Sequence, residues 1–268
     1  MVDYSKATGG NFLYAHYDTL QETDNPWEYY FEPLSNMPYE SGDSVHHTYE
    51  AGGLTTGYNH PKNYYPTVRA QCHYIINKYI KLKPHIMAKI EEFYQHNMHN
   101  CFTIGIHLRG TDKKSEVKQT DPMVILKRAN KIAKKLGRKC QFLVATDEEK
   151  LLTLAQSTLR GKVLYYHATR STNGLPIHYN AQVVNRMLLG EEVLIEAHLL
   201  SRCDVFIHTL TNVAQAISYL NPHLKTVLIA PRHRLKMPAP TRSLWEENRF
   251  GNQKLTLIHT KRPFYHGP

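Results

Sequence analysis

No apolar run in this 268-residue sequence approaches 18 residues, so no segment has the length that a membrane-spanning helix requires. The opening residues, MVDYSKATGG, lack a basic region followed by an apolar stretch. A secretory signal is therefore not visible, and a cytoplasmic location is expected. Cysteine is scarce: Cys72, Cys101, Cys140 and Cys203 lie far apart, and none forms a CxxC pair. Three of them flank or enter apolar runs, which favours buried reduced thiols over disulfides or zinc. Histidine is plentiful at 17 residues, but no HxxxH or HExxH spacing occurs, and His46 and His47 are adjacent in a loop. No bound metal is expected. Acidic residues number 23 against 33 basic ones, a formal net charge of +10 that favours an anionic partner. Nucleic acid and a sugar nucleotide both satisfy that preference. The basic residues are spread along the chain, as in KRANKIAKKLGRK, and no RNP motif, zinc finger or helix-turn-helix accompanies them. Nucleic acid therefore gains no specific support.

Apolar residues make up 41% of the chain, enough for a proper core. Residues 1–66 are rich in Tyr, Asn, Gly and Pro and show little periodicity. Within them the stretch 26–33, PWEYYFEP, is a dense aromatic cluster too short for a helix of its own, and reads as a packing plug or, less commonly, a binding wall. The loop 39–65 has the glycine-rich, polar make-up of a functional or disordered segment. Residues 67–98 turn helical: Val68, Cys72, Ile75, Ile76 and Tyr79 recur at three and four, and a second helix starts near Lys83 with Pro84 in its first turn.

Beyond Cys101 strand and helix alternate. Strands are expected over 102–108, 141–145, 163–166, 205–208 and 226–230. Helices are expected over 121–136, ended by Gly137, and over 148–159, 190–201 and 212–220. Thr146 or Asp147 caps the second of these. Val193, Leu194, Ala197 and Leu200 form the apolar stripe of the third. This alternation predicts a parallel sheet with helices on both faces. Residues 233–268 are basic and proline-rich and are expected to pack back on the N-terminal part.

Three strand ends point the same way, and ligands of open α/β sheets bind beyond the carboxyl ends of the strands. The first delivers His107, Arg109, Thr111 and Asp112; the second Thr146 and Asp147; the third the run His208-Thr209-Leu210-Thr211-Asn212. Arginine offers a planar fork of donors suited to phosphate, although an ordinary ion pair between Arg109 and Asp112 reads equally well. At the third strand end, free backbone N–H groups and the helix dipole favour an anion. A simple N-cap by Thr211 or Asn212, needing no ligand, fits as well.

HLRGTDK at 107–113, VATDEEKLLTLA at 144–155 and VLIEAHLLSRCDVFIHTLTNVAQAISYL at 193–220 resemble, in order, the three motif regions of the fucosyltransferases that use GDP-fucose. The likeness covers about residues 100–230. It is closest to the α1,6-fucosyltransferase group, which includes the Nod-factor and N-glycan core enzymes, and WEYYFEP at 27–33 adds to it. The resemblance implies an α/β fold of GT-B type: two Rossmann-like domains facing across a cleft, with the nucleotide on the C-terminal one. Residues 1–98 then form an acceptor-side subdomain with bridging helices, 99–232 the nucleotide-sugar domain, and 233–268 a tail. The strand, glycine turn and helix that open the family's N-terminal domain are not found, so that domain is expected to be trimmed.

The same resemblance implies inverting transfer of fucose to a glycan or lipo-oligosaccharide, without metal or cofactor. Fixed positive groups then stabilise the departing diphosphate. Arg109 matches the family arginine on the β-phosphate; Gly110 stands where the longer family form has a second arginine. Glu196 takes the place of the aspartate that reads the guanine edge, and Asn212 that of a phosphate-binding serine. Glu116, with Lys113 beside it, matches the glutamate proposed as base, one residue nearer the motif. His107, Asp112, Asp147 and Thr211 complete the donor-side set. Two other readings stand beside this one: a transferase using another GDP-sugar such as GDP-mannose, and a non-catalytic nucleotide or glycan binder. A basic nucleic-acid binder comes third.

Overall fold

The computed structural model describes residues 27–34, 66–110, 120–175, 177 and 186–231, and the backbone of 256–260. Its centre is a parallel sheet of six strands: β1 (Thr103–Leu108), β2 (Gln141–Thr146), β3 (Val163–Leu164), β4 (Val205–His208), β5 (Lys225–Pro231) and β6 (Thr256–Thr260). Their spatial order is β3-β2-β1-β4-β5-β6. This is a doubly wound arrangement whose order reverses between β1 and β4. Every residue of β1, β2 and β4 is buried, as continuous apolar runs in a sheet covered on both faces require.

The two faces separate with the period-two alternation of the strands. Helices α4 (Pro122–Leu136) and α5 (Glu149–Thr158) cover one face, where Ile125, Leu126 and Leu152 pack with Ile104, Ile106, Phe142, Val144 and Ile207. Helices α6 (Arg186–Ser201) and α7 (Asn212–Leu220) cover the other, with Ile195, Leu199, Leu200 and Ile217 against Leu143, Ala145 and Phe206. Gly105 allows the end of α6 to approach β1: a Cβ there would lie 2.9 Å from both Cys203 Sγ and Leu200 Cδ2. Helix α4 carries the start and stop the sequence implies, with Asp121 Oδ1 accepting from Met123 N and Gly137 left-handed at φ 64°.

Helix α2 (Pro66–Tyr79) lies on α7, and α3 (Pro84–Asn97) on α6. The buried face of α2 is not the expected one: Ile75 and Tyr79 are half exposed, while Arg69 is buried. Its guanidinium donates to the carbonyls of Ser218 (3.2 Å), Asn221 (2.9 Å) and Leu224 (3.0 Å). Ser218 lies in the last turn of α7, Asn221 is its C-cap and Leu224 precedes β5, so the arginine ties the end of the helix to the start of the next strand. Of the apolar stripe expected on α6, Ala197 and Leu200 are buried with Ile195 and Leu199, whereas Val193 is exposed.

The aromatic cluster does form one helical turn, α1 (Trp27–Tyr30), contrary to expectation. As a packing plug it behaves as read. The Tyr30 hydroxyl donates to Met187 O at 3.0 Å, and its ring occupies the space a Cβ on Gly190 would need. Cys203 is buried, but Cys72 and Cys140 are half-buried and Cys101 is exposed, so burial of the thiols holds fully for one. The tail carries β6, a strand the sequence did not suggest. Its five residues pair in parallel with β5. No helix among the described residues is long and apolar enough to cross a membrane.

Candidate functional site

The crevice beyond β1 and β4 is where a ligand is expected in a sheet of this order. Ile106 and Ile207 are register partners, so His107 and His208 stand level with one another at its floor. His208 is fully buried and stacks on Phe206, ring centroids 4.8 Å apart and 14° between planes. Its Nδ1–H donates to Thr209 O at 2.9 Å. Burial lowers its pKa to about 4, with the Thr209 carbonyl opposing, so the ring is neutral at pH 7.

Thr211, 1% exposed, caps α7 by accepting from Ala214 N at 3.0 Å, and its hydroxyl is 3.4 Å from His107 Nδ1. The N-cap reading of this turn is therefore realised. Asn212 is exposed on the first turn of α7, and the half-buried Arg109 directly follows β1. Asp112, Lys113 and Glu116, together with Thr111, lie outside the described residues, so their arrangement around Arg109 is not part of the observed geometry.

Asp147 does not cap α5. That helix starts at Glu148 without any side-chain cap, and Thr146 Oγ1 accepts from Glu148 N at 3.3 Å. Instead Asp147 Oδ1 accepts from Gly110 N at 2.8 Å, tying the ends of β1 and β2 together. Gly110 itself is buried against the first turn of α5. A Cβ on it would lie 2.8 Å from Leu151 Cδ1 and 3.0 Å from Glu148 Cβ, and would overlap Glu148 Oε2. A side chain at this position would have to displace the Glu148 carboxylate and the Leu151 side chain.

Glu196 is drawn into a network that the sequence did not reveal. Arg170 Nη2 donates to Glu196 Oε1 at 3.2 Å and to Tyr166 O at 2.7 Å, while Nη1 donates to Ala168 O at 2.9 Å. One turn earlier, Glu192 accepts from Thr169 N (2.8 Å) and from its hydroxyl (3.2 Å). The strap 165–171 is thereby stapled to α6. Its far end reaches β2, where Ser171 N donates to Asp147 O at 2.9 Å and Ser171 O accepts from Glu149 N at 3.0 Å. Burial raises the Glu196 pKa to about 8, against the lowering influence of Arg170 and with Glu192 and Asp147 adding to the rise. Spacing alone offers one signal that could have marked it, the carboxylates Glu192 and Glu196 one helical turn apart, which need partners when buried. Nothing in the irregular strap identified Arg170 as one of them.

A separate groove of about 770 Å³ opens between α2, α6 and α7, lined among others by His73, Ile76, Leu194, His198 and Leu220. It lies toward the C-terminal ends of α6 and α7 and so away from the strand ends described above. Among the described residues no cluster of three His, Cys, Asp or Glu side chains is arranged to hold a metal ion.

The fold is a doubly wound α/β sheet with a crevice at its topological switch point. No family model and no curated protein matches the chain. Solved structures similar to it include NodZ α-1,6-fucosyltransferase co-crystallised with GDP, at 20% identity over 54% of this chain and 44% of that one, TM-score 0.39. Fucosyltransferase NodZ from Bradyrhizobium is similar at 20% identity over the same shares, TM-score 0.38. POFUT1 in complex with GDP-fucose is similar at 12% identity over 57% of this chain and 48% of that one, TM-score 0.39. The chain thus spans less than half the length of these proteins.

Proposed function

We propose that the chain is a cytoplasmic glycosyltransferase of GT-B type that transfers fucose from GDP-fucose to a glycan or lipo-oligosaccharide. It acts with inversion and without metal or cofactor. The acceptor hydroxyl oxygen attacks the anomeric carbon of fucose as the bond from that carbon to the β-phosphate oxygen breaks. The electron pair of that bond leaves with GDP, and the hydroxyl proton passes to the Glu116 carboxylate, with Lys113 assigned to the same catalytic set. Arg109 and the N-terminal turn of α7 at Asn212 offset the charge on the diphosphate. Glu196 accepts from the guanine N–H donors, and His107, Asp112, Asp147 and Thr211 support the donor side.

The observation that carries this reading is the convergence of the three motif segments at one end of one sheet. Arg109 follows β1, Asp147 follows β2, and Thr211 and Asn212 follow β4; Glu196 stands close enough to Asp147 to feel its charge. The test is titration calorimetry of GDP and GDP-fucose in the presence of EDTA, on wild type and Arg109→Ala. Saturable binding that is lost in the variant supports the donor site. Absence of binding in the wild type overturns the proposal. Hydrolysis of GDP-mannose in preference to GDP-fucose assigns the site to another GDP-sugar.

A further inference from the structure

The strap 165–171 holds the strongest unexplained feature of the molecule: an arginine side chain 5% exposed, locked between two carbonyls of its own segment and a carboxylate on α6. A guanidinium removed from water needs all the partners it can find. Here the two carbonyls are local, two and four residues away, so they fix Arg170 within the strap whether or not Glu196 is present. The contact to Glu196 is the long-range one. It engages Oε1, and the Glu196 side chain keeps 15% exposure, an accessible edge on an otherwise enclosed carboxylate. We infer that Arg170 is a positioning residue for nucleobase recognition: it holds one oxygen of Glu196 so that the carboxylate presents its exposed edge to the N1–H and 2-amino donors of a guanine. The inference rests on the proposed reading of Glu196 and adds to it the device that orients the acceptor.

The chemistry of the surroundings supports a positioning role. A glutamate has one methylene more than an aspartate and one more torsion to be fixed. Arg170 supplies the restraint through a charge-assisted bond of defined direction. The groups that face Glu196 are Arg170 from the strap, Glu192 on its own helix and Asp147 from the end of β2. Arg170 alone among them favours the ionised form, and a guanine edge requires that form because its Watson–Crick nitrogens are donors.

The experiment compares GDP with inosine diphosphate, which lacks the 2-amino group, by calorimetry between pH 6 and 9. The proteins are wild type, Arg170→Gln, Arg170→Lys and Glu196→Gln. Loss of one hydrogen bond to a charged acceptor corresponds to about tenfold or more in affinity, so wild type should prefer GDP by at least that factor, increasingly as pH rises toward 8. In Arg170→Gln the preference should fall to about threefold or less, and the rise with pH should move upward, while Arg170→Lys retains part of both. A smaller fraction of binding-competent protein lowers both apparent affinities equally and leaves their ratio unchanged. Should Arg170→Gln fail to fold, the lysine variant decides. A wild-type ratio and pH profile in the variants that fold, with discrimination lost in Glu196→Gln, overturns the role of Arg170 and leaves the donor reading intact. Discrimination that survives Glu196→Gln, or no GDP binding by wild type, overturns both.

Discussion

Replacing Gly110 by alanine tests whether the strand end is shaped by contact with α5. The backbone at Gly110 is not left-handed; among the described residues the positive-φ glycines are Gly137 and Gly174. An alanine therefore meets no torsional penalty, and its effect is steric. The added Cβ would overlap the Glu148 carboxylate oxygen and lie 2.8 Å from Leu151 Cδ1 and 3.0 Å from Glu148 Cβ. The carboxylate could turn, but Glu148 is 2% exposed and ion-paired with Lys150 at 2.5 Å. Leu151 Cδ1 can turn only within its buried packing, and Glu148 Cβ is fixed to the backbone at the start of α5. Over-packing of this kind costs about 1–3 kcal/mol. Displacing the Gly110 N–H from Asp147 adds about 1.5–3 kcal/mol if that charge-assisted bond is lost. The lower entropy of the unfolded alanine chain returns about 0.4–1 kcal/mol. The net destabilisation is about 1 kcal/mol with that bond kept and about 3–4 kcal/mol with it lost, each kcal/mol lowering Tm by roughly 2–4 °C for a chain of this size. Urea and thermal denaturation of wild type and Gly110→Ala measure it directly. A change within about 0.5 kcal/mol, the scatter of neutral surface substitutions, would refute the argument. By the same geometry, Gly110→Arg should weaken GDP binding rather than strengthen it.

Arg69→Met should cost about 3 kcal/mol, because the carbonyls of Ser218 and Leu224 lose the guanidinium and that of Asn221 keeps only the Leu224 N–H, all between α7 and β5. Urea denaturation should show it as a lower midpoint with an unchanged slope. His208 predicts a pH effect of definite sign. Its folded pKa, lowered by burial to about 4, lies below the unfolded value near 6.5. Between these values the unfolded chain binds more protons, so the stability that this group supplies is present above pH 6.5 and is lost as pH falls toward 4, by about 3 kcal/mol in full. His208→Gln should flatten that part of the stability profile, read as the difference between denaturation midpoints at pH 4.5 and 7.

What the sequence disclosed were the features that local chemistry dictates. Asp121, Pro122 and Gly137 bound α4, and Thr211 starts α7, because caps act within one turn of the residues they serve. The strands were legible because a sheet covered on both faces selects apolar runs. The features it concealed all depend on partners distant in the chain. Periodicity put Ile75 and Tyr79 inside, but the end of α7, some 150 residues away, needed a donor, and that need turned Arg69 inward. Asp147 looked like a cap since it precedes a helix, but the N–H that claims it belongs to Gly110 on the neighbouring strand. Glu196 was marked by resemblance alone, and the residue that holds it lies in a segment with no periodicity. The candidate site follows the same division. The strands fix where the ends of β1, β2 and β4 meet, and one-dimensional pattern reveals that much. The orientation of each polar group at those ends is set by single long-range hydrogen bonds, which leave no trace in spacing or composition. Substitutions that break such bonds should therefore alter ligand selectivity before they alter the fold.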